Sequence, residues 1–189
     1  MALRTMFFDV GGTLETFSCS REYRIKNTAI LRKFLVENGI VLPYTDEELY
    51  EVIAGGISAY RKWSIASMIE LSTGEIWSQY VFKGHPVDTK KLYRISEQLS
   101  CLYELNYYAR EMRPEVPAVM SELKKLGLRI GCISNTQSLT QVPATLAKYG
   151  ISQFFDPVVL SSKYGRRKPD PSLFYHAARL ANSPTGACG

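Results

Sequence analysis

The stretch from Arg4 to Thr16, RTMFFDVGGTLET, constrains the fold more than any other part of the sequence. The apolar run from Thr5 to Phe8 has no helical spacing and stops at Asp9, and two glycines follow almost at once. This pattern predicts a buried strand that ends in a carboxylate, followed by a turn through which backbone amides can approach a ligand closely. Because ligands of open α/β sheets bind at the carboxyl ends of parallel strands, Asp9 stands where a nucleophile or a metal ligand would lie. The alternative interpretation is an ordinary aspartate before a glycine turn.

The length and composition are those of a globular protein. With 189 residues, 46% of them hydrophobic, the chain is long enough for one domain, or for a core with a smaller insert. The net charge of +5 is spread along the sequence, and only the run 166–168 places three basic residues together. A dispersed positive charge favours a small anionic substrate and argues against nucleic acid as a partner.

The cysteines and the amino terminus predict a reducing compartment and no membrane. The four cysteines form no CxxC pair and have no metal-ligand spacing with the two histidines. Two of them sit in apolar surroundings, so we expect small buried hydrophobic side chains. Arg4 and Asp9 interrupt the short apolar run that a signal peptide would need. No segment approaches the ~20 apolar residues of a membrane span. We therefore expect a cytoplasmic protein.

The middle of the chain, from Arg21 to about Arg113, has only helical patterns. Thr45 and Glu48 have the spacing of a capping box, which marks the start of one of these helices. The sequence predicts four helices and no strand here, within 26–38, 45–53, 72–83 and 88–107.

After Arg113 the pattern alternates between helix and strand. Apolar strand runs at 128–133 and 157–160 are separated and followed by helical stripes, the last of them beginning at Pro171 after Asp170. A strand, an all-helical insert and then alternating helices and strands predict an α/β fold, a Rossmann-like parallel sheet carrying an inserted helical cap. The predicted core is 1–16 with 113–189, and the predicted cap is 17–112.

Polar residues follow all three predicted strands, and parallel strands bring them to one edge of the sheet. They are Asp9, then Ser134 with Asn135, and Lys168 just beyond the third strand. An aspartate can attack phosphorus to form an acyl-phosphate. Ser134, Lys168 and the amides near Gly12 would hold the phosphoryl oxygens, and Lys168 would keep Asp9 ionised. The alternatives are that Ser134 and Asn135 cap the next helix and that Lys168 is a solvated basic residue.

Three motifs in this order resemble those of the haloacid dehalogenase superfamily of hydrolases, in the branch with a helical cap inserted after the first motif. The first is Phe7 to Leu14, the second is Ile133 to Asn135, and the third is Gly165 to Phe174, GRRKPDPSLF. The resemblance covers the whole chain. It implies Asp9 as the nucleophile, with Gly12, Ser134, Asn135 and Lys168 around the phosphoryl group and Asn135 toward the cap. It also implies magnesium, bound by Asp9 and the backbone carbonyl of Gly11.

The sequence departs from the family pattern at two places. Phosphatases of the family carry a second aspartate two residues after the nucleophile, as general acid and base, and here that residue is Gly11. The family pattern also continues into a fourth strand with an acidic pair that completes the magnesium site, whereas no acidic residue follows Asp170. We therefore expect the C-terminal strands of the core to be missing, the remaining metal ligand to be absent, and Thr5 to Phe8 to form an open edge that permits a homo-oligomer.

Three functions are consistent with these residues. The leading hypothesis is a phosphatase acting on a small phosphorylated metabolite through an aspartyl-phosphate at Asp9. The enzymatic alternatives are a metal-independent dehalogenase, in which Asp9 attacks carbon, or a phosphonate hydrolase that uses a cap lysine. The candidates for that lysine are Lys26, Lys33, Lys62 and Lys83. The hypothesis from another class is a weakly active or inactive shortened family member with a binding or regulatory role.

Overall fold

The computed structural model describes residues 2–189 and is built around a three-stranded parallel sheet. The strands lie in the order β1 (Thr5–Phe8), β4 (Arg129–Ser134) and β5 (Phe155–Leu160) across the sheet. The register places Phe8 beside Cys132 and Ser134 beside Leu160. The residues that follow the three strands therefore lie at one edge of the sheet, and the prediction of an α/β fold with a parallel sheet is confirmed.

Helices make up most of the remaining structure. Four of them follow one another within residues 21–106, and the helix Thr73–Ile76 continues directly into a π-helical turn at Trp77–Val81. Among residues 2–189, no helix combines the length and the apolar character that crossing a bilayer requires. The helices are α1 (Arg21–Glu37), α2 (Asp46–Ser67), α3 (Thr73–Ile76), α4 (Thr89–Asn106), α5 (Val116–Lys125), α6 (Gln141–Lys148), α7 (Ser161–Tyr164) and α8 (Pro171–Leu180).

The buried hydrophobic residues form separate clusters. One lies entirely within residues 21–108, which we call the helical unit, and its largest fully buried side chain is Trp77. The indole nitrogen of Trp77 donates a 2.7 Å hydrogen bond to the hydroxyl of Ser100, so this buried polar atom is satisfied. Two other clusters surround the parallel sheet. Because no residue belongs to both groups, we propose that the chain divides as the sequence predicted, into a core and a cap over 17–112.

The prediction that residues 21–113 contain no strand is wrong. β3 (Ala109–Met112) pairs antiparallel with β2 (Glu15–Ser18), and this two-stranded sheet carries both connections between the helical unit and the parallel sheet. The apolar alternation that marks most strands is missing from the sequence AREM. Pairing here is instead stabilised by a buried ion pair, in which Arg110 donates to the carboxylate of Glu15 and, at 2.9 Å, to that of Glu104.

The expectation of an open edge at β1 needs a correction. Arg4 donates to the carbonyl of Ala187 at 2.9 Å, and Phe7 donates to the carbonyl of Gly189 at 2.8 Å. In return, the amide of Gly189 donates to the carbonyl of Thr5 at 3.0 Å. The last three residues therefore cover the edge as far as Phe7, which leaves less unpaired backbone than the sequence suggested. Self-association through the remainder of this edge stays a prediction.

Gly55 and Gly56 lie in the middle of α2, which continues through both of them. A Cβ atom added to Gly56 would lie 2.3 Å from Cα of Val81 and 2.7 Å from the carbonyl oxygen of Tyr80. These are backbone atoms, so they cannot move aside cheaply. A Cβ atom added to Gly55 would meet nothing within 4 Å. Gly56 is therefore needed for the close approach of two helical segments, whereas Gly55 is not.

These neighbouring glycines give a matched test of the packing. We expect Gly56→Ala to lower the free energy of unfolding by about 1–3 kcal/mol because the new methyl group overpacks the contact. Gly55→Ala should raise the same free energy by roughly 0.5–1 kcal/mol because alanine favours the helix. Urea denaturation of both variants measures this difference. Similar changes in the two proteins would contradict the close approach at Gly56.

Candidate active site

Asp9 and Lys168 form an ion pair where the parallel strands end. Nζ of Lys168 lies 2.8 Å from Oδ2 of Asp9 and also donates to the carbonyl of Ile133, in β4, at 2.7 Å. The other carboxylate oxygen of Asp9 accepts a 2.8 Å hydrogen bond from the amide of Val10. The side chain of Asp9 remains 38% exposed. The carboxylate is therefore oriented from two sides and still accessible to a ligand.

The side chain of Asn135 holds the backbone of Lys168 in place. Its Oδ1 accepts from the amide of Lys168 at 2.8 Å, and its Nδ2 donates to the carbonyl of Lys168 at 3.1 Å. These two bonds connect the residue after β4 with the loop after β5. Asn135 also lines the cleft beside Asp9, so a direct contact with phosphate stays a prediction in addition to this bracing role.

Ser134 and Asp9 line the same polar cleft, which has a volume of about 280 Å³. Ser134 is the last residue of β4 and only 4% exposed. Asp9 also borders a second cavity of about 330 Å³ next to α8, whose wall includes Lys168 and apolar residues such as Phe174. The first cleft has hydroxyl, amide and guanidinium groups, which bind oxygens, so we propose the anion site there. Lys168 reaches Asp9 from the side of the second cavity.

The glycine turn after β1 has a clear backbone role. Gly12 has φ +79°, a left-handed conformation that favours glycine, and the carbonyl of Val10 accepts from the amides of Thr13 and Leu14 at 3.2 and 3.0 Å. Gly11 contributes to the wall of the cleft, whereas Gly12 is not among the residues that line it. A contact of the Gly12 amide with phosphate therefore stays a prediction.

Charged residues that the sequence analysis did not propose for the site also line the cleft. Three are arginines, Arg61 of α2, Arg110 of β3 and Arg167 beside Lys168, and the fourth is Glu104 of α4. Burial raises the pKa of Glu104, and the neighbouring Arg110 opposes that change. Arg110 is paired with Glu15 and Glu104, and Arg167 is paired with Glu70, so carboxylates largely balance the charges of these two arginines. The four charged residues of the cleft were missed because only the fold brings residues so far apart in the sequence together.

Cys132 lies in β4 close to Asp9 but does not offer a second nucleophile. Burial raises the pKa of its thiol to about 12, and the negative charge of Asp9 adds to this effect. The thiol is therefore protonated at neutral pH, and thiols react as thiolates. Cys132 is a buried core residue, as the sequence predicted for cysteines in apolar surroundings, whereas Cys101 and Cys188 are only half-buried and Cys19 is exposed.

The described residues near Asp9 offer only part of the oxygen set that magnesium needs. Asp9 has one carboxylate, and the backbone carbonyl of Gly11 is the other expected ligand, whereas Mg²⁺ prefers an octahedral set of oxygens. Within residues 2–189, no three side chains of histidine, cysteine, aspartate or glutamate lie together as a group that could hold a metal. The acidic residue expected to complete the site has no counterpart among the described residues near Asp9.

The bracing role of Asn135 can be tested by its removal. We expect Asn135→Ala to lower the free energy of unfolding by about 1–3 kcal/mol because two backbone groups of Lys168 lose their partners. The matched control is Asn106→Ala, which removes a single 2.8 Å bond to the carbonyl of Leu102 in its own helix. Urea denaturation should show the smaller change for the control. An equal or smaller effect of Asn135→Ala would contradict the brace.

Comparison with known proteins finds a matching family and similar phosphatases over nearly the whole chain. Residues 3–188 match the family described as haloacid dehalogenase-like hydrolase. A glyceraldehyde 3-phosphate phosphatase of Methanopyrus kandleri is 23% identical over 177 residues, which cover 94% of this chain and 70% of the relative. The enzyme of the same name from Methanothermobacter thermautotrophicus is 26% identical over 177 residues, with 94% and 71% covered.

Solved structures show the same fold. CbbY from Rhodobacter sphaeroides in complex with phosphate superposes with a TM-score of 0.59 at 18% identity, covering 98% of this chain and 76% of that one. A 2-haloacid dehalogenase from Pseudomonas syringae pv. Tomato DC3000 gives a TM-score of 0.59 at 20% identity, with the same coverage. The family match spans nearly every residue, and the strands, their order and the ordered motifs agree with it. This chain belongs to the haloacid dehalogenase-like hydrolase family.

Proposed function

We propose that this protein is a phosphatase that hydrolyses the phosphate ester of a small metabolite, with Asp9 as the nucleophile. The observation that carries the proposal is the ion pair between Asp9 and Lys168, 2.8 Å apart, beside a cleft lined by arginines. The names of the two relatives, which are glyceraldehyde 3-phosphate phosphatases, support a phosphorylated substrate. The bound phosphate in the CbbY structure supports an anion site in this fold.

In the first step, a carboxylate oxygen of Asp9 attacks phosphorus and the ester bond to the leaving oxygen breaks. The ammonium of Lys168 and the hydroxyl of Ser134 offset the negative charge on the transferred oxygens. The product is an acyl-phosphate on Asp9, and the leaving oxygen takes up a proton to become an alcohol. Water then attacks phosphorus, the bond to Asp9 breaks, and inorganic phosphate leaves as the carboxylate is restored.

The proton for the leaving oxygen does not come from residue 11, because Gly11 has no side chain. A general acid contributes roughly 10² to 10⁴ in rate, so esters with poor leaving groups should be slow substrates. The magnesium that the family implies would find only two protein oxygens here, from Asp9 and Gly11. We propose that it would bind together with phosphate oxygens of the substrate and water rather than as a resident ion.

The nucleophile is tested by replacing Asp9 with an amide of the same shape. We expect Asp9→Asn to lower kcat with p-nitrophenyl phosphate roughly 10⁴-fold or more, as removal of a nucleophile does in other enzymes. The control is Asp88→Asn, because asparagine caps the start of α4 as well as aspartate does. Phosphate release assayed on both proteins decides the question. Undiminished turnover in Asp9→Asn would overturn Asp9 as the nucleophile and point to a contaminating enzyme.

The missing acid is tested by restoring it. A Cβ atom at Gly11 would meet only Cε1 of Phe17, at 3.9 Å, so a side chain fits. We expect Gly11→Asp to raise kcat with an alkyl phosphate by about 10²-fold, and to change kcat with p-nitrophenyl phosphate far less, because p-nitrophenolate leaves without a proton.

Gly11→Asn is the matched control, since its side chain has the same size but cannot supply the proton. The alkyl phosphate gain should appear in the aspartate variant and not in the asparagine variant. Equal rates in the two variants would show that another group of the cleft already protonates the leaving oxygen.

A metal-independent dehalogenase is the second candidate. Gly11 and the incomplete set of metal ligands favour it, since this reaction needs no metal and no acid for a halide leaving group. Asp9 would attack carbon, the carbon–halogen bond would break, and water would hydrolyse the resulting ester. Release of halide from a 2-haloacid without magnesium, and no phosphate release from phosphate esters, would establish this function instead. A phosphonate hydrolase lacks support, because none of the four candidate lysines of the helical unit lines the cleft.

A weakly active or inactive chain with a binding role is the remaining alternative. It predicts that phosphate binds beside Asp9 without turnover. Measured phosphate release that disappears in Asp9→Asn would exclude it.

A further inference from the structure

Glu70 is a buried carboxylate between α2 and α3 that the mechanism above does not use. Its side chain has no exposed surface, although it belongs to the helical unit and faces the loop that carries Lys168. We propose that Glu70 is a positioning residue that fixes this loop, and with it Lys168 and Arg167, against the helical unit. The part of this inference that concerns turnover rests on the proposed phosphatase function.

Three donors from different segments converge on the carboxylate of Glu70. The hydroxyl of Tyr60, in α2, donates to one oxygen. The hydroxyl of Ser161, at the start of α7, donates to the other at 2.6 Å, and the guanidinium of Arg167 donates to that same oxygen. Burial raises the pKa of Tyr60, and the charge of Glu70 raises it further, so the phenol stays a donor. A buried charge with these partners is costly to disturb.

Backbone hydrogen bonds join the same two segments. The amide of Glu70 donates to the carbonyl of Gly165 at 3.1 Å, and the amide of Arg167 donates to the carbonyl of Met68 at 2.9 Å. Ile69 and Arg166 form an antiparallel bridge between these bonds. Met68 has φ 56°, a left-handed conformation that a methionine adopts only when its surroundings require it. The segment 68–70 is therefore paired with 165–167, and Lys168 is the next residue.

The contacts of Glu70 also extend to the loop after β4. The hydroxyl oxygen of Ser161 accepts a 2.9 Å hydrogen bond from the amide of Thr136. Thr136 follows Ser134 and Asn135, the residues at the carboxyl end of β4 that line the cleft. The buried carboxylate of Glu70 is thus bonded directly to the loop before Lys168 and connected through Ser161 to the loop after β4.

Glu97 is the control that separates positioning of the loop before Lys168 from a general stabilisation of the contact with the helical unit. Glu97 lies in α4 and also links the helical unit to the segment that follows β4. One of its carboxylate oxygens accepts from the hydroxyl of Ser138 at 2.6 Å and from the amides of Leu139 and Thr140 at 2.9 and 3.0 Å. Its partners lie at the start of α6 and do not adjoin Lys168. Removal of either charge weakens a link between the same two parts, but only Glu70 is bonded to the loop before Lys168.

The test compares Glu70→Gln with Glu97→Gln. We expect Glu70→Gln to lower kcat with p-nitrophenyl phosphate by about 10²-fold with a smaller change in KM, because a misplacement near 1 Å has such an effect. Glu97→Gln should keep a kcat close to that of the unmodified protein even where its stability falls. Hydrogen–deuterium exchange should rise in the peptide that covers 163–168 for Glu70→Gln and not for Glu97→Gln. Circular dichroism verifies that both variants fold.

Ser161→Ala serves as a milder second variant, since it removes one donor to Glu70 and leaves the ion pair with Arg167. If Glu70→Gln does not fold, this variant should still show faster exchange at 163–168 and a reduced kcat. Equal losses of kcat in Glu70→Gln and Glu97→Gln, or unchanged exchange at 163–168 in the Glu70 and Ser161 variants, would overturn the inference. Absence of turnover in the unmodified protein would refute the phosphatase proposal, and the exchange measurement would still decide the role of Glu70.

Discussion

The ion pair between Asp9 and Lys168 brings the carboxyl ends of the parallel strands into one site, because Lys168 also bonds the carbonyl of Ile133 in the central strand. Both side chains are partly exposed, and ion pairs of this kind stabilise proteins by only about 0–1 kcal/mol. The pair therefore matters for orientation more than for stability. Its geometry is secured by backbone contacts, chiefly the two hydrogen bonds from Asn135 to the main chain of Lys168.

Buried or partly buried carboxylates connect the helical unit to the parallel sheet at three places. Glu15 and Arg110 join the two strands through which the chain enters and leaves the unit, and Tyr149 adds a 2.7 Å bond to Glu15. Glu97 binds the start of α6, and Glu70 binds the loop before Lys168. Each carboxylate accepts hydrogen bonds from several donors, because a buried charge is costly unless it is paired and hydrogen-bonded. Arg61 and Glu104 of the unit line the same cleft as Asp9, so the helices contribute part of the cleft wall.

Much of this architecture was predictable from local sequence patterns. The run Thr5–Phe8 before Asp9, the capping box at Thr45 and the three strand ends are encoded within short windows, and the structure contains each of them. The strand β3 was not predictable, because its pairing depends on a buried ion pair rather than on apolar alternation. The arginines of the cleft and Glu70 were also missed, since long-range contacts alone reveal their positions. The domain boundaries and the roles of Gly12 and Ser134 remain predictions.

The central claim is that the carboxylate of Asp9 becomes covalently phosphorylated during turnover. The most direct measurement is to quench the protein during turnover of a phosphate ester, reduce it with borohydride and identify the modified residue by mass spectrometry. Borohydride converts a phosphorylated aspartate into homoserine, so we expect homoserine at residue 9 and at no other carboxylate. Homoserine at a different residue, or none at all while phosphate is released, would contradict it.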